Sequence, residues 1–339
     1  MIFEPIELKN NILNNRIVLA PLASSSSKED GTPSERSLEI YGPFASSGAA
    51  MIIVEHHAVN LCGRTRPAQF LANSEDAAKQ HLQMTEILKK DNALCMVQIN
   101  HAGAKIADPA VFDMEGYRSF SPSGVPIGDH WDKPGRKPEV MTRSVIKKTV
   151  EDFISAAVSM VKTAGYDAIQ IHASHGYLLG QFLSPLTNRR DDEYGGTDAK
   201  RARLLYEITD GIRQSLKDIP LSVRLGVADH LPGEKSKGLS IDDTVSVARE
   251  LVDLGVDMIS VTGNLCGFGA ERKDSAYFAP YAERIKSSVG SSALVECTGG
   301  IKDLRTADKL LRDGICDLIG VGRLMLQDPG FVTRWKESY

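Results

Sequence analysis

The chain has 339 residues, of which 42% are hydrophobic and 25% are charged, a composition that is ordinary for a globular protein. Its 40 basic and 44 acidic residues give a formal net charge of -4, which argues against nucleic acid or an anionic membrane as the main partner. It has neither an apolar run as long as a transmembrane helix nor the basic-then-apolar start of a signal peptide, so we expect small-molecule partners.

The cysteines do not follow a metal-binding pattern. There are five of them and none belongs to a C-x-x-C pair, so a zinc ribbon or an iron–sulfur cluster is not expected. Cys95, Cys297 and Cys316 lie in or beside apolar runs, which predicts that they are buried as small hydrophobic side chains. Thiols of this kind fit a reducing cytoplasm.

Eight short apolar runs recur along the chain. Each is rich in valine and isoleucine and mostly continuous, as is typical of strands that are covered on both faces. The predicted strands are Arg16–Ala20, Ala50–Val54, Ala93–Ile99, Ala168–Ile171, Leu221–Leu225, Met258–Val261, Leu294–Cys297 and Leu318–Val321.

Helical patterns separate these runs, and several end at a glycine that can close a helix. The first opens at TPSE, which predicts Thr32 as N-cap, Pro33 as the first helical residue and Glu35 as the acid of a capping box. The predicted helices are Ser34–Ser47, Asp76–Asp91, Thr149–Ala164, Ala199–Leu216, Asp242–Leu254, Tyr277–Val289, Asp303–Asp313 and Asp328–Ser338.

Eight strand–helix units in series predict an α/β fold, the (β/α)8 TIM barrel, in which residues 1–339 form a single domain. Residues 1–15 precede the first strand and are predicted to cover the bottom of the barrel. The loop at about 101–148 is long and carries Phe112, Tyr117, Phe120 and Trp131, so we predict a cap over the barrel mouth. The sixth loop, Gly263–Ala276, is rich in glycine and charge and is predicted to be mobile.

The chain is organised around the fourth strand, which runs into IHASHGYLLGQFLSPLTNRRDDEYGG. His172, His175 and Tyr177 fall within six residues at the carboxyl end of this strand, where α/β folds place their chemistry. A single histidine at such a position is more often a satisfied polar side chain. The group of three favours a catalytic site.

The last two strands end in glycine-rich turns. Thr298, Gly299 and Gly300 follow the seventh strand, and Gly322 and Arg323 follow the eighth. Glycines let backbone N–H groups approach an anion, and an arginine adds a bidentate contact, so a phosphate site is predicted here. The alternative is a pair of tight turns with Arg323 in solvent.

Two strands carry polar residues where a barrel interior would favour apolar ones. Gln98 lies in the third strand, and Arg224 lies between two apolar residues in the fifth. A buried arginine needs a partner, which we expect to be a phosphate, an electron-rich ring or Glu296. The first strand ends in Ala20, Pro21, Leu22 and Ala23, a small flat surface on which an aromatic ring system could lie.

These segments together resemble the old yellow enzyme family of FMN-dependent oxidoreductases, across essentially the whole chain. The most specific match is HASHGYLLGQFLSPLTNRRDDEYGG, and VQINHAG, SVRL, GGI and GVGR follow the family order. The resemblance implies bound FMN, with NADPH or NADH as reductant and an α,β-unsaturated carbonyl compound as substrate. It also implies a homo-oligomer.

The resemblance further implies a role for each site residue. Ala20, Pro21, Leu22 and Ala23 would line the flavin, with His56 beside it, Gln98 at its pyrimidine edge, Arg224 near N1 and O2, and Gly299, Gly300, Gly322 and Arg323 at the phosphate. His172 and His175 would bind the substrate carbonyl oxygen, and Tyr177 would donate the proton that completes hydride transfer from FMN N5.

Three positions depart from the family pattern. Ala23 replaces a cysteine or threonine of some bacterial members, Ser25 replaces a substrate-contacting tyrosine, and His56 replaces a small residue beside the flavin. The pocket is therefore expected to differ from that of well-known ene-reductases. The physiological substrate and the preference for NADH or NADPH stay open.

Four rival functions fit parts of the sequence. A metal hydrolase could use the histidines at strand ends, but it would need a histidine pair at the first strand and a carboxylate at the eighth. A phosphate-binding isomerase or aldolase barrel could use Glu55 or Glu296 as its base, but it leaves Gln98 and the paired histidines unexplained. The third is a flavin or dienoyl-CoA-type reductase with another acceptor, and the fourth is a non-catalytic flavin-binding protein.

Overall fold

Eight parallel strands close into a barrel in the computed structural model, which describes residues 1–127, 135–234, 237–266 and 275–339. The strands within these ranges are β1 Ile6–Leu8, β2 Asn11–Leu13, β3 Ile17–Leu19, β4 Met51–Ala58, β5 Leu94–Asn100, β6 Phe120–Ser121, β7 Glu139–Val140, β8 Ala168–Ala173, β9 Leu221–Gly226, β10 Met258–Thr262, β11 Leu294–Cys297 and β12 Leu318–Val321. The order around the barrel is β3-β4-β5-β8-β9-β10-β11-β12, and the barrel closes through pairing of β12 with β3.

Helices pack around the outside of this barrel. Among the residues that the structure describes they are α1 Glu35–Ala45, α2 Glu75–Lys79, α3 Leu82–Leu88, α4 Arg143–Lys162, α5 Leu178–Leu183, α6 Asp198–Ser215, α7 Ile241–Asp253, α8 Ala279–Val289, α9 Leu304–Arg312, α10 Arg323–Gln327 and α11 Phe331–Glu337. Within the same ranges, no helix is long and apolar enough to cross a membrane.

The eight predicted strands are confirmed as β3, β4, β5, β8, β9, β10, β11 and β12, with ends that shift by up to four residues. The predicted start of the first helix is wrong. Ser34 is the N-cap, and Ser37 rather than Glu35 closes the capping box, with Ser34 N–H donating to Ser37 Oγ at 3.0 Å. The reason is local competition, because Thr32 donates its hydroxyl to Asp30 at 2.7 Å.

Other helix predictions need smaller corrections. The predicted helix Asp76–Asp91 is two short helices, α2 and α3, separated at a buried His81 that lies 3.2 Å from Tyr166 Oη. Helix α4 begins at Arg143, six residues before the predicted Thr149, because Thr142 accepts a capping hydrogen bond from Val145. The short helices α5 and α10 had no counterpart in the prediction.

The barrel interior is apolar at its amino-terminal end and polar at its carboxyl end. The antiparallel hairpin of β1 and β2 covers the apolar end, as predicted, and its Leu8 and Leu13 pack with Met51, Met96 and Met258. Burying apolar side chains against the hairpin seals one end of the barrel. The opposite end is left open for a site.

The long third loop contains a 3-10 helix, Pro109–Asp113, and the two-residue strands β6 and β7. Phe112 and Tyr117 pack edge to face, with ring centroids 5.5 Å apart. That this loop caps the mouth stays a prediction, and Trp131 lies outside the described residues. The predicted mobility of Gly263–Ala276 also concerns residues that are largely outside the described ranges.

Candidate active site

A cavity of about 610 Å³ opens at the carboxyl ends of the barrel strands. Its size lies within the usual range of small-molecule and cofactor sites. Parallel strands deliver their carboxyl ends to one rim, and this brings together side chains from distant parts of the sequence. Every residue predicted for the site lines this cavity, namely Ala20, Pro21, Leu22, Ala23, His56, Gln98, His172, His175, Tyr177, Arg224, Gly299, Gly300, Gly322 and Arg323.

The glycines after β11 and β12 are required by space and backbone conformation. Gly299 and Gly300 have φ of 97° and 76°, the left-handed region that favours glycine. A Cβ at Gly299 would lie 2.8 Å from the ring of Tyr277, and one at Gly322 would lie 3.0 Å from Leu22. The result is a narrow backbone-lined corner beside Arg323.

A row of hydrogen-bonded polar side chains crosses the interior below the cavity. Gln98 in β5 donates from Nε2 to Gln170 Oε1 at 2.7 Å, and Gln170 donates to Ser222 Oγ at 3.1 Å. These donations fix the orientation of the Gln98 amide and leave its Oε1 as an acceptor. Buried polar groups that are satisfied in this way hold one conformation.

Arg224 points into the same region from β9. It is 7% exposed, and its Nε has no hydrogen-bond partner. The predicted alternative was a pair with Glu296, but neither carboxylate oxygen of Glu296 has a hydrogen-bond partner. A direct hydrogen-bonded pair is therefore not formed, and the Arg224 guanidinium is available to a group in the cavity.

His172, His175 and Tyr177 form one cluster on the cavity wall. Ring centroids lie 5.1 Å apart for His172 and His175 and 5.0 Å apart for His172 and Tyr177. Ser174 Oγ lies 3.1 Å from His172 Nδ1, and Thr262 Oγ1 lies 3.0 Å from His175 Nε2. These hydroxyls orient both imidazoles.

Burial sets the protonation states of the cluster. It lowers the pKa of His172 and of His175 well below the ordinary value, and the positive charge of Arg224 lowers both further. Burial also raises the pKa of Tyr177, although Arg66 lowers it. At neutral pH the cluster therefore presents two neutral imidazoles and a protonated phenol, all able to donate hydrogen bonds without carrying charge.

The turn that carries the cluster is held from several sides. His175 has a φ of 58° and Gly176 one of 71°, so the chain reverses sharply after β8. Lys105 Nζ donates to His175 O at 2.6 Å, and Gly176 N–H donates to Asn264 Oδ1 at 3.2 Å. Lys105 Nζ also lies 5.5 Å from the centroid of the Tyr177 ring.

Asn264 and Asp229 support the turn from behind, and sequence reasoning missed both. Asn264 Nδ2 donates to Gly180 O at 2.9 Å and to Asp229 Oδ1 at 2.8 Å. The other oxygen of Asp229 accepts from Ser184 Oγ at 2.5 Å. Neither residue belongs to a motif that would have drawn attention to it.

His56 lines the cavity beside this cluster. Its ring lies 5.5 Å from that of Tyr177 and 6.2 Å from that of His172, and Gln69 Nε2 lies 2.6 Å from its Nδ1. Burial lowers the pKa of His56 to about 3, with a further contribution from Arg66. His56 is therefore a neutral wall residue that narrows the space above Tyr177.

Sequence reasoning missed other lining residues as well. Thr298 belongs to the predicted phosphate turn, whereas Thr262 was missed although it ends a strand as His172 does, a position that was a usable signal. Gly320 and Val321 lie within the predicted eighth strand, and the remainder come from helix starts and loops that the strand pattern does not reach, namely Tyr277, Phe278, Ile301, Lys302, Leu324 and Gln327.

Comparison with known proteins decides the family. The family model described as the NADH:flavin oxidoreductase / NADH oxidase family matches residues 1–339, the whole chain. The chain belongs to the old yellow enzyme family. It is an NAD(P)H-dependent flavin oxidoreductase, and its cofactor is FMN.

Individual members of the old yellow enzyme family agree with this assignment. The NADPH dehydrogenase of Bacillus subtilis (strain 168) is 35% identical over 331 residues, covering 97% of this chain and 92% of that protein. The NADH oxidase of Thermoanaerobacter brockii is 29% identical; the match covers 99% of this chain but 51% of that protein, so the chain spans about half its length. The solved old yellow enzyme homologue from Zymomonas mobilis has a TM-score of 0.83 at 25% identity, over 99% of this chain and 92% of that one.

FMN of the old yellow enzyme family fits the residues that line this cavity. The corner at Gly299 admits no side chain, which leaves backbone N–H groups and Arg323 to face a phosphate. Arg224 Nε is buried without a partner at the cavity floor, as expected for a donor that meets a ring heteroatom. The apolar ledge from Ala20 to Ala23 supplies a surface for an aromatic ring.

Proposed function

We propose that the protein reduces the carbon–carbon double bond of α,β-unsaturated carbonyl compounds, as an ene-reductase. The observation that carries the proposal is the cluster of His172, His175 and Tyr177 on one wall of the cavity, with neighbouring rings about 5 Å apart. When bound, FMN supplies the redox chemistry, taking a hydride from NADPH or NADH and delivering it to the β-carbon of the alkene.

The two imidazoles are proposed to bind the carbonyl oxygen of the substrate. Negative charge develops on this oxygen during reduction, and N–H donors that are already in place stabilise it, at about 3–4 kcal/mol for one donor. Both imidazoles are buried, which strengthens such hydrogen bonds by excluding water. Their lowered pKa values keep one ring N–H on each histidine without net charge.

Tyr177 is proposed to donate the proton that the α-carbon needs. Its raised pKa keeps the phenol protonated at neutral pH, and its ring contacts His172 on the same wall. A general acid in this position contributes about 10²–10⁴ in rate.

The remaining predicted residues are proposed to hold FMN. Gln98 would accept a hydrogen bond at the pyrimidine edge, and Arg224 would lie near N1 and O2. The ring would lie against Ala20, Pro21, Leu22, Ala23 and His56, and the phosphate would be held by Gly299, Gly300, Gly322 and Arg323.

A Tyr177→Phe variant tests the proton-donor assignment. We expect the rate of alkene reduction to fall about 10²–10⁴-fold, because the α-carbon of the alkene takes its proton from the phenol. Reduction of the flavin by NADPH needs no such proton and should change little. Anaerobic stopped-flow absorbance of the flavin band measures both half-reactions separately. Equal losses in the two half-reactions would contradict the assignment.

The unmodified enzyme supplies the control. A flavin band that bleaches with NADPH or NADH and recovers when a small cyclic enone is added supports the reaction class. A band that bleaches but does not recover with enones points to another acceptor, such as a CoA thioester. Protein that stays colourless after incubation with FMN would contradict the function altogether.

We further infer that the protein works in the cytoplasm. Cys95, Cys297 and Cys316 are free, buried thiols, as the sequence predicted. Free thiols fit a reducing compartment. The expected homo-oligomer stays a prediction.

A further inference from the structure

A buried carboxylate lies beneath the cavity, outside the proposed chemistry. Glu296 in β11 is fully buried, and neither of its carboxylate oxygens has a hydrogen-bond partner. An ionised carboxylate in that position is costly unless a nearby charge compensates for it. The carboxyl is therefore either protonated or compensated by a nearby cation.

The register of the barrel places Glu296 and Arg224 on the same face. Ser260 in β10 pairs with Arg224 on one side and with Glu296 on the other. Residues in register on neighbouring parallel strands point to the same face, so all three side chains point into the barrel. Arg224 lines the cavity, which fixes that face as the interior.

The carboxylate of Glu296 lies directly under the cavity floor. A Cβ at Gly320 would lie 2.1 Å from Glu296 Oε1, so the carboxylate occupies the space that a side chain on β12 would fill. Gly320 itself lines the cavity. The carboxylate therefore lies against Gly320, one of the residues that line the cavity.

Arg224 supplies the opposite charge. Burial lowers the pKa of Arg224 whereas Glu296 raises it, and burial raises the pKa of Glu296 whereas Arg224 lowers it. A guanidinium stays protonated in proteins, so the ionised forms of the two groups stabilise each other. Arg224 thus favours the ionised form of Glu296 against the effect of burial, and the negative charge of that form offsets the charge of Arg224.

We propose that Glu296 is a positioning residue that balances the charge of Arg224 and thereby keeps the reduction potential of bound FMN lower than Arg224 alone would set it. The two-electron-reduced flavin carries more negative charge than the oxidised ring, so a cation beside it favours reduction and a carboxylate behind that cation weakens the effect. The inference rests on the proposed placement of Arg224 beside the flavin ring.

Glu296→Gln in the FMN-loaded enzyme tests the proposal, because it removes the charge and keeps the shape. We expect about a tenfold higher ratio of reduced to oxidised flavin at a fixed potential, which is about 30 mV for a two-electron couple. Spectroscopic redox titration against a reference dye measures this ratio. Sulfite, which adds negative charge to the oxidised ring, should bind about tenfold more tightly.

Arg224→Gln and the double variant complete a cycle. We expect Arg224→Gln to shift the potential in the opposite direction and the double variant to lie between the two single variants, because the two removed charges have opposite sign; a departure from the sum of the single shifts measures their coupling. Glu55→Gln is the matched control: Glu55 is also a buried carboxyl, but it accepts hydrogen bonds from Tyr41 Oη at 3.1 Å and from Ser24 N–H at 2.9 Å, whereas Glu296 acts on Arg224. It should leave the potential unchanged.

The outcomes separate the inference from the proposals on which it rests. An unchanged potential in Glu296→Gln, with FMN bound, would overturn the role of Glu296, as would an equal shift in Glu55→Gln. If Arg224→Gln also leaves the potential unchanged, the placement of Arg224 itself is wrong. Should Glu296→Gln fail to fold, Glu296→Asp, which withdraws the carboxylate, should give a smaller shift of the same sign. No arm of the experiment uses alkene reduction.

Discussion

His56 shows how a single residue can set the shape of the substrate pocket. Its imidazole is neutral and buried and lies 5.5 Å from the Tyr177 ring. Gln69 holds it in place through a contact of 2.6 Å, so the ring cannot easily turn aside for a ligand. The family resemblance places a small residue here, which implies less room above Tyr177 in this chain.

A His56→Ala variant is expected to widen the substrate range. Removing the ring opens space next to Tyr177, so kcat/KM for a bulky substituted enone should rise about tenfold relative to that for a small cyclic enone. Steady-state kinetics with the two enones gives this ratio.

Gln69→Ala serves as the companion variant, since it removes the partner that holds His56 and leaves the ring itself. It should shift the ratio in the same direction by a smaller amount. A ratio that is unchanged in both variants would show that His56 does not limit the pocket.

Residues of the site were predictable where chemistry and strand position coincide. The fourteen predicted residues line one cavity because a parallel barrel brings the carboxyl ends of all strands to one rim. Asn264 and Asp229 were not predictable in this way. Their hydrogen bonds join segments that are 84 and 35 residues apart, and a buried support contact of this kind leaves no local pattern in the sequence.

At the scale of elements, the turn between β8 and α5 depends on a neighbouring loop. Asn264, which follows β10, accepts from Gly176 N–H and donates to Gly180 O, so it holds both sides of the turn that carries His175 and Tyr177. A Cβ at Gly180 would lie 2.2 Å from Asn264 Oδ1, which shows how closely the two elements approach.

Asn264→Ala is expected to loosen this turn without unfolding the barrel. Alkene reduction should fall about tenfold or more, because a small displacement of an acid or a donor is costly to a reaction that depends on orientation. Reduction of the flavin by NADPH should be less affected. Rapid kinetics of the two half-reactions, with thermal unfolding as a check on folding, makes the comparison.

A second substitution tests the same contact from the other side. Gly180→Ala displaces Asn264 through its added methyl group and should give the same pattern of losses. The role of Asn264 would be contradicted if alkene reduction kept its full rate in both variants.

Element boundaries were less predictable than element identity, for local reasons. The strands were predictable because short continuous runs of valine and isoleucine are typical of strands buried on both faces. The first helix was displaced because Asp30 competes for the hydroxyl of Thr32, which leaves Ser34 to cap the helix. The break between α2 and α3 depends on burial of His81 beside Tyr166, a tertiary contact that helical periodicity does not contain.

At the scale of the whole molecule, six of the histidines within the described residues are buried in neutral form. Burial lowers the pKa of His56 to about 3 and those of His57 and His101 to about 4. It also lowers the pKa of the remaining three well below the ordinary value, namely His81, His172 and His175. The unfolded chain would titrate all six near pH 6.5.

These histidines make stability depend on pH in a definite direction. Below about pH 6.5 the histidines of the unfolded chain bind protons, whereas those of the folded chain do not. The free energy of unfolding therefore keeps its full value above that pH and falls as the solution is acidified towards pH 4. Each such histidine costs about 1.4 kcal/mol for every pH unit below 6.5. Burial raises the pKa values of Glu55, Asp229 and Glu296, and these acids oppose part of the change.

We therefore expect the free energy of unfolding to be several kcal/mol smaller at pH 5.5 than at pH 7.5, from urea titrations at a fixed excess of FMN. His101→Gln isolates one contributor, because His101 is buried, accepts from Gly103 N–H at 3.1 Å and takes no part in the proposed chemistry. Between pH 7.5 and pH 5.5, the free energy of unfolding should decrease by about 1.4 kcal/mol less in this variant than in the unmodified protein. The reason is that one fewer side chain binds a proton on unfolding. Equal free energies of unfolding at the two pH values, together with no smaller loss in His101→Gln, would contradict the neutral form of the buried histidines, including the donors proposed for the active site.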